Sequence, residues 1–322
     1  MGLGCAGLST WMYARPQCDD AHSAELLNEA LDLGVTLLDT AGVYGEGHNE
    51  ALIGRAIGPR RDEVFLATKV GLVVDDLSTM ALHRDGRPAH LRDAVGASLR
   101  RLGTGTVDLC YLHRIDPAVP LEDSWGALAE LVEAGRIGHL GLSDVSVEEA
   151  ERAHRIHPVA AIQSELSLWS RQSLGSRSEA EDETADEAED TVGWCARNGA
   201  VFVPFAPLGR GFLTGTITAD TRFPPDDMRA RHPRFTPSAR AANQRIVSVL
   251  RTVAERHDAT AAQVALAWVL AQGEHVIPIP GTTHAAYLRA NVRAADLDLT
   301  PQDLTDLDDA VPAPEQDHPG TP

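Results

Sequence analysis

Short β-rich runs alternate with amphipathic stretches along almost the whole chain, and that alternation constrains the fold more than any single motif. Strand candidates fall at 2–5, 35–39, 64–69, 107–113, 139–143, 160–164, 201–205 and 276–280. Helix-like stretches lie near 21–33, 48–57, 90–102, 123–135, 146–155, 189–198 and 240–272, with another near 284–293 after the last strand. Asp19 and Asp20 suit the cap of the first helix, which ends at Gly34, and the stretch before the fifth strand ends near Gly135. Eight such units predict an α/β fold, a closed parallel (β/α)8 TIM barrel rather than an open sheet. Barrels of this kind commonly run to about 250 residues or more as one domain, so a single catalytic domain over 1–310 is expected.

Charge and cysteine usage exclude several classes. Lys plus Arg number 28 against 47 Asp plus Glu, a formal charge of -19, which argues against nucleic acid or an anionic membrane as the main partner. Cys5, Cys18, Cys110 and Cys195 show no C-x-x-C spacing and read as reduced thiols, so neither a disulfide framework nor structural zinc is expected. The uncharged opening stretch lacks a basic n-region, and no apolar run approaches the ~20 residues that span a bilayer; a cytoplasmic location is expected. His83, His90, His154 and His157 form no convincing ligand set, and no metal is expected.

The polar residues favour one edge of the expected barrel. Asp39, Lys69, His113, Ser143, Asp144 and Gln163 lie at the C-terminal ends of their strands, and Phe205 ends the seventh. That rim is where barrels of this type build active sites. Singly, each has an ordinary role: Lys69 a buried paired lysine, Asp39 a loop cap, Tyr44 rim packing, His113 a structural histidine. Together a carboxylate, a phenol, an ammonium and an imidazole make a proton-handling site. A tyrosine, with a pKa near ~10, donates a proton near neutrality only when neighbours tune and position it, and Lys69 is the expected tuner. Gly2-Leu3-Gly4-Cys5-Ala6-Gly7 matches G-x-G-x-x-G, but with no strand before it and no helix until about Ala21 it is not read as a Rossmann fingerprint.

Several motifs in order resemble those of the aldo-keto reductases. They are Gly2-Leu-Gly-Cys-Ala-Gly7, Asp39-Thr-Ala-Gly-Val-Tyr-Gly45, Leu66-Ala-Thr-Lys69, Leu112-His-Arg-Ile-Asp116, Gly141-Leu-Ser-Asp144, Gln163-Ser-Glu165, Leu168-Trp-Ser170, Phe205-Ala-Pro-Leu-Gly-Arg-Gly-Phe-Leu-Thr-Gly215 and Ile279-Pro-Gly-Thr282. The resemblance implies reversible hydride transfer between a nicotinamide cofactor and a small-molecule carbonyl. Tyr44 is then the general acid, its pKa lowered by Lys69; Asp39 orients Lys69, and His113 hydrogen-bonds the carbonyl oxygen.

The same resemblance places the cofactor. Gly4 and Cys5 end the first strand beside it, while Ser143, Asp144 and Gln163 hold the nicotinamide carboxamide, Asp144 standing where Asn or Glu is frequent. Phe205 stands where a tyrosine often stacks on the ring, and a stack needs only the aromatic face. Ala206, Pro207, Leu208, Gly209, Arg210, Gly211 and Phe212 form the loop beside the pyrophosphate, with Arg210 able to pair a phosphate. Pro280, Gly281, Thr282, Thr283, His284, Arg289 and Asn291 lie toward the adenosine end. Lys or Arg commonly follows P-G-T in NADP-preferring members, and here Thr283 and His284 stand there, so NADP(H) is favoured with NAD(H) open. Trp11 and Trp169 line a substrate pocket or pack in loops.

Two departures from the family pattern and two rivals remain. Related reductases carry a β-hairpin ahead of the first strand; in this sequence the chain opens on that strand, so either the true start lies upstream or lower stability is tolerated. An acidic insertion at 172–190, with eight Asp or Glu in 179–190, is expected as a solvated loop, and 311–322 as a disordered tail. One rival is a barrel lyase using Lys69 as a Schiff-base nucleophile. The other is a non-catalytic subunit that senses nicotinamide nucleotides. Oligomeric state is not legible.

Overall fold

The computed structural model describes residues 1–9, 19–76, 79–175 and 190–310. The chain runs β1 (Leu3–Gly4), α1 (Asp20–Asp32), β2 (Leu37–Asp39), α2 (His48–Ile57), β3 (Phe65–Val70), β4 (Leu72–Asp76), β5 (Ala81–Arg84), α3 (Pro88–Leu102), β6 (Val107–Leu112), α4 (Leu121–Glu133), β7 (Ile137–Ser143), α5 (Val147–His154), β8 (Ala161–Glu165), α6 (Thr191–Asn198), β9 (Val201–Phe205), α7 (Pro237–Arg256), α8 (Ala261–Leu270), α9 (Ala285–Arg293) and α10 (Pro301–Asp309). Trp11, most of the acidic insertion and the 311–322 tail lie outside the described residues.

Seven strands form one sheet in the order β1-β2-β3-β6-β7-β8-β9, every neighbour parallel. The expected eighth strand, 276–280, corrects to a segment hydrogen-bonded on both sides that is too sparsely laddered to be a strand. Ile277 N and Ile279 N donate to the carbonyls of Phe202 and Pro204, while Gly2 N donates to Pro278 O at 2.9 Å. Pro278 and Pro280 stand where amide hydrogens would point back at β1, and proline has none to give. The ring still closes, and glycine permits it: a Cβ on Gly4 would sit 2.6 Å from the carbonyl oxygen of Ile279.

The long helix expected at 240–272 is two helices. α7 ends at Arg256, Asp258 takes a left-handed φ of 48°, and Thr260 restarts the chain as N-cap of α8 in a capping box with Gln263. The antiparallel hairpin β4–β5 and the terminal helix α10 are additions to the sequence reading. No helix among the described residues is long and apolar enough to cross a membrane.

Alternation along the strands sorts the side chains. Leu66, Leu112, Leu140 and Phe202 point outward into the layer beneath the helices, where Trp125 and Trp268 are fully buried. Truncating either tryptophan to alanine would cost about 3–5 kcal/mol. Ala67, Leu109, Tyr111, Ala161, Val203 and Ile279 point inward and fill the barrel. Continuing each strand by the same period of two carries Asp39, Lys69, His113, Gln163 and Phe205 inward at the C-terminal mouth. The fold therefore gathers these residues by parity alone.

Candidate active site

At that mouth the Lys69 ammonium lies against the Asp39 carboxylate, and both are almost inaccessible, 1% and 2% exposed. Lys69 Nζ also donates to the Thr40 carbonyl at 2.9 Å and to the Tyr44 hydroxyl at 3.5 Å. The second carboxylate oxygen of Asp39 accepts from the Gln163 amide at 2.8 Å. Asp39 is thus held from two sides, and Lys69 is left aimed at Tyr44.

Tyr44 comes not from a strand but from the turn between β2 and α2, where Gly45 and Gly47 adopt φ of 58° and 89°. Buried hydrogen bonds fix that turn. Thr40 Oγ1 donates to Asn49 Oδ1 at 2.7 Å, and the Asn49 amide donates to the Cys5 carbonyl and to Ser9 Oγ, each at 2.9 Å. The edge of the Tyr44 ring meets the His113 imidazole, with centroids 6.3 Å apart and planes at 85°. Asp39, Tyr44, Lys69 and His113 therefore share one small volume.

Their protonation follows from burial and charge. Burial pushes the Tyr44 phenol above its ordinary value, and the pull of Lys69 in the other direction does not overcome it. The pull of Lys69 on Tyr44 runs in the direction the resemblance implies, burial outweighs it, and the phenol holds its proton through neutrality. Burial alone would lower Lys69, but Asp39 and Tyr44 together push it up. Burial, then Lys69 and Arg114, hold His113 well below the usual histidine range, so the imidazole is neutral. A Schiff-base nucleophile needs a free amine, and Lys69 is fixed in the opposite state.

Arg114, not singled out in the sequence, organises the next part of the rim. It donates to the His113 carbonyl at 2.6 Å and to Ser143 Oγ at 2.9 Å, and it pairs with Asp144 at 2.5 Å. Asp144, at φ 49°, is therefore engaged by Arg114 rather than standing alone. The position directly after His113 was the available signal. Further round, Phe205 lies at the barrel mouth, packed against the interior cluster.

The loop that follows bends sharply, with left-handed φ at Ala206, Gly209, Arg210 and Gly211 of 48°, 55°, 54° and 95°. Held in that region, Ala206 and Arg210 store about 1–3 kcal/mol each. Phe212 is fully buried and packs against Trp169 with centroids 4.1 Å apart and planes tilted by 34°, so its side chain belongs to the core beneath the loop. Trp169 is likewise only 6% exposed. Pro207 and Leu208 complete the bend. At the end of β1, Gly4 is part-buried and Cys5 fully buried, and Cys5 N donates to the Asp39 carbonyl at 2.8 Å.

Beyond the segment that closes the ring, Pro280 and Gly281 lead to Thr282, whose hydroxyl accepts from His284 N at 3.1 Å. The Thr283 carbonyl accepts from His22 at 2.8 Å, Arg289 pairs with Glu29, and Asn291 is buried.

The "Aldo/keto reductase family" model matches residues 1–312. The chain belongs to the aldo/keto reductase family. Members of this family are NAD(P)H-dependent oxidoreductases. A Glycine max protein, "Probable aldo-keto reductase 1", is 38% identical over 313 residues, 97% of this chain and 85% of that protein. A glycerol dehydrogenase from Gluconobacter oxydans superposes with a TM-score of 0.83 at 32% identity, covering 96% of this chain and 90% of its own. An aldo-keto reductase from Klebsiella pneumoniae, solved in complex with NADPH, gives 0.69 at 25% identity over 98% and 92%.

The residues of this family member fit a dinucleotide. His113 Nδ1 and Arg210 Nε are buried without a hydrogen-bond partner among the described residues. Such orphans cost about 1–3 kcal/mol each and are relieved by a polar ligand. Among the described residues no group of three His, Cys, Asp or Glu could hold a metal ion.

Proposed function

We propose that this chain is a single catalytic barrel over 1–310 that reversibly reduces a small aldehyde or ketone with NADP(H), with Tyr44 as the general acid. The reading rests above all on the Tyr44 hydroxyl lying 3.5 Å from a Lys69 ammonium locked on buried Asp39. Ser143, Asp144, Gln163 and Phe205 would hold the cofactor at the barrel mouth. The 206–212 loop with Arg210 would lie by its phosphates, and 280–284, Arg289 and Asn291 toward its adenosine. When bound, the cofactor supplies a hydride.

Tyr44 keeps its proton through neutral pH and passes it from Oη to the carbonyl oxygen, leaving a phenolate that solvent reprotonates. Lys69 stabilises that phenolate at the moment it forms, and Asp39, tied by Gln163, keeps Lys69 in place. Neutral His113 donates a hydrogen bond to the same carbonyl oxygen and fixes its direction. In the reverse direction the phenolate accepts the alcohol proton. The Klebsiella relative in complex with NADPH supports NADP(H) over NAD(H). Thr282, Thr283 and the His284 end of α9 would offer neutral donors to a 2′-phosphate.

The test is oxidation of NADPH and NADH, followed at the nicotinamide absorbance, over aldehydes, diketones, quinones and glyceraldehyde. Glyceraldehyde is included because the Gluconobacter relative is named a glycerol dehydrogenase. Turnover is expected, reduced about 10²–10⁴-fold in Tyr44→Phe while cofactor binding persists. Tight binding with no turnover on any carbonyl would move the reading to a sensing subunit. No binding would overturn it.

A further inference from the structure

Glu165 ends β8 beside Phe205 in the sheet register, facing the barrel mouth two residues beyond Gln163. Each of its carboxylate oxygens is taken by a different arginine. Oε1 accepts from Arg234 at 2.7 Å and Oε2 from Arg210 at 3.2 Å. The three side chains are mostly enclosed, 19%, 17% and 13% exposed respectively. Arg210 comes from the bent glycine loop. Arg234 comes from the 3₁₀ turn Pro233–Phe235, which Phe235 anchors against Trp169 at a centroid distance of 5.3 Å.

The clamp is uneven. Arg234 is bonded more closely to Glu165 and also donates to Ser170 Oγ at 3.4 Å. Arg210 makes the longer bond, sits on a backbone with φ 54°, and leaves its buried Nε without a partner among the described residues. A guanidinium presents the same fork to a carboxylate and to a phosphate. Two arginines on one carboxylate leave one positive charge in excess, so an incoming anion meets attraction from both guanidiniums and repulsion from Glu165.

We infer that Glu165 is a resident counter-ion in the cofactor's phosphate site, holding Arg210 and Arg234 in place and competing with the phosphate for them, so that it limits how tightly the dinucleotide binds. This rests on the nicotinamide-dinucleotide reading above and adds Arg234 to the phosphate-binding set. Arg210, the looser partner, is the one that exchanges carboxylate for phosphate.

The experiment is calorimetric titration of the full chain with NADPH and with inorganic pyrophosphate, at low and moderate salt, for the wild type, Glu165→Gln, Arg234→Gln and the double variant. Glu165→Gln is expected to bind both ligands about tenfold more tightly, with a steeper loss on adding salt. Arg234→Gln is expected to bind about tenfold more weakly, and the double variant near the wild type. Equal or weaker NADPH binding by a folded Glu165→Gln, in a wild type that does bind NADPH, overturns the inference alone. Should Glu165→Gln not fold, Arg234→Gln decides, and unweakened binding there overturns it. A wild type that binds neither ligand overturns the cofactor reading and this inference with it.

Discussion

Two charged clusters share the barrel mouth and are built differently. Asp39, Lys69 and His113 stand on strand ends or directly after them, and Tyr44 joins them on a turn pinned by Asn49. Asp39 and Lys69 are sealed from water and bonded to each other, to the Thr40 carbonyl and to the Gln163 amide. Glu165, Arg210 and Arg234 join one strand end to two loops, with bonds of unequal length and a left-handed backbone under Arg210. The difference teaches where each job can be done. On the proposed function, proton transfer needs fixed distances, and strand ends with one hydrogen-bonded turn supply them; admitting and releasing a large anion needs partners that can exchange, and loops supply those.

Breaking the strand-borne cluster should have the larger effect. Lys69→Met leaves the Asp39 carboxylate buried and unpaired, at a cost of about 3–5 kcal/mol in unfolding free energy by denaturant titration. Carbonyl reduction should fall with it, by at least the factor expected for Tyr44→Phe. A loss under about 1 kcal/mol would mean that Asp39 is not dependent on Lys69, and the contrast with the rim would lose its basis.

His113→Asn should come next, lowering kcat for reduction about 10²-fold with little change in stability, because it removes a donor to the developing alkoxide. Unchanged kcat would take His113 out of the cluster. The pH profile sharpens the same point. His113 is held well below 6.5 and Tyr44 above 10.0, so neither changes charge between those values. Reduction should therefore show no step in that window and fail only on the alkaline side, as Tyr44 loses its proton. The raised pKa of Lys69 acts in the same direction, its stabilisation intact below the ordinary lysine value of 10.5 and lost as pH rises further. A sigmoid centred near pH 7 would contradict these assignments.

The smallest effect belongs to the rim. Arg114→Lys breaks a part-exposed pair with Asp144, and its cost to stability should stay within about 1 kcal/mol. A kinetic split is expected, with KM for the cofactor rising more than kcat falls. A larger fall in kcat would place Arg114 with the strand-borne cluster.

The same contrast decides what the sequence revealed. Asp39, Lys69 and His113 were legible because each follows an apolar run, and strand parity carries them inward together. Tyr44 was legible through its fixed spacing from Asp39. The eighth stave misled because Val276-Ile-Pro-Ile-Pro280 has the apolar character of a strand, while its prolines withhold half the ladder. The break between α7 and α8 turns on Asp258 taking a left-handed φ, which the amphipathic pattern across 240–272 conceals. Glu165 and Arg234 lie 69 residues apart, and no local pattern announces that a loop will bring Arg234 within 2.7 Å of the end of β8. Nor could the balance at Tyr44 be read from the sequence, because burial and Lys69 pull in opposite directions and only the packing shows which prevails.

The most direct test of the central claim is to titrate Tyr44 itself, by NMR of ring-labelled tyrosine in the wild type and in Lys69→Met, with Tyr44→Phe identifying the resonance. The account predicts a phenol that titrates above 10.0 in the wild type and higher still once the Lys69 charge is gone. A phenol that titrates below that value in the wild type, or that does not rise when Lys69 is removed, would contradict it.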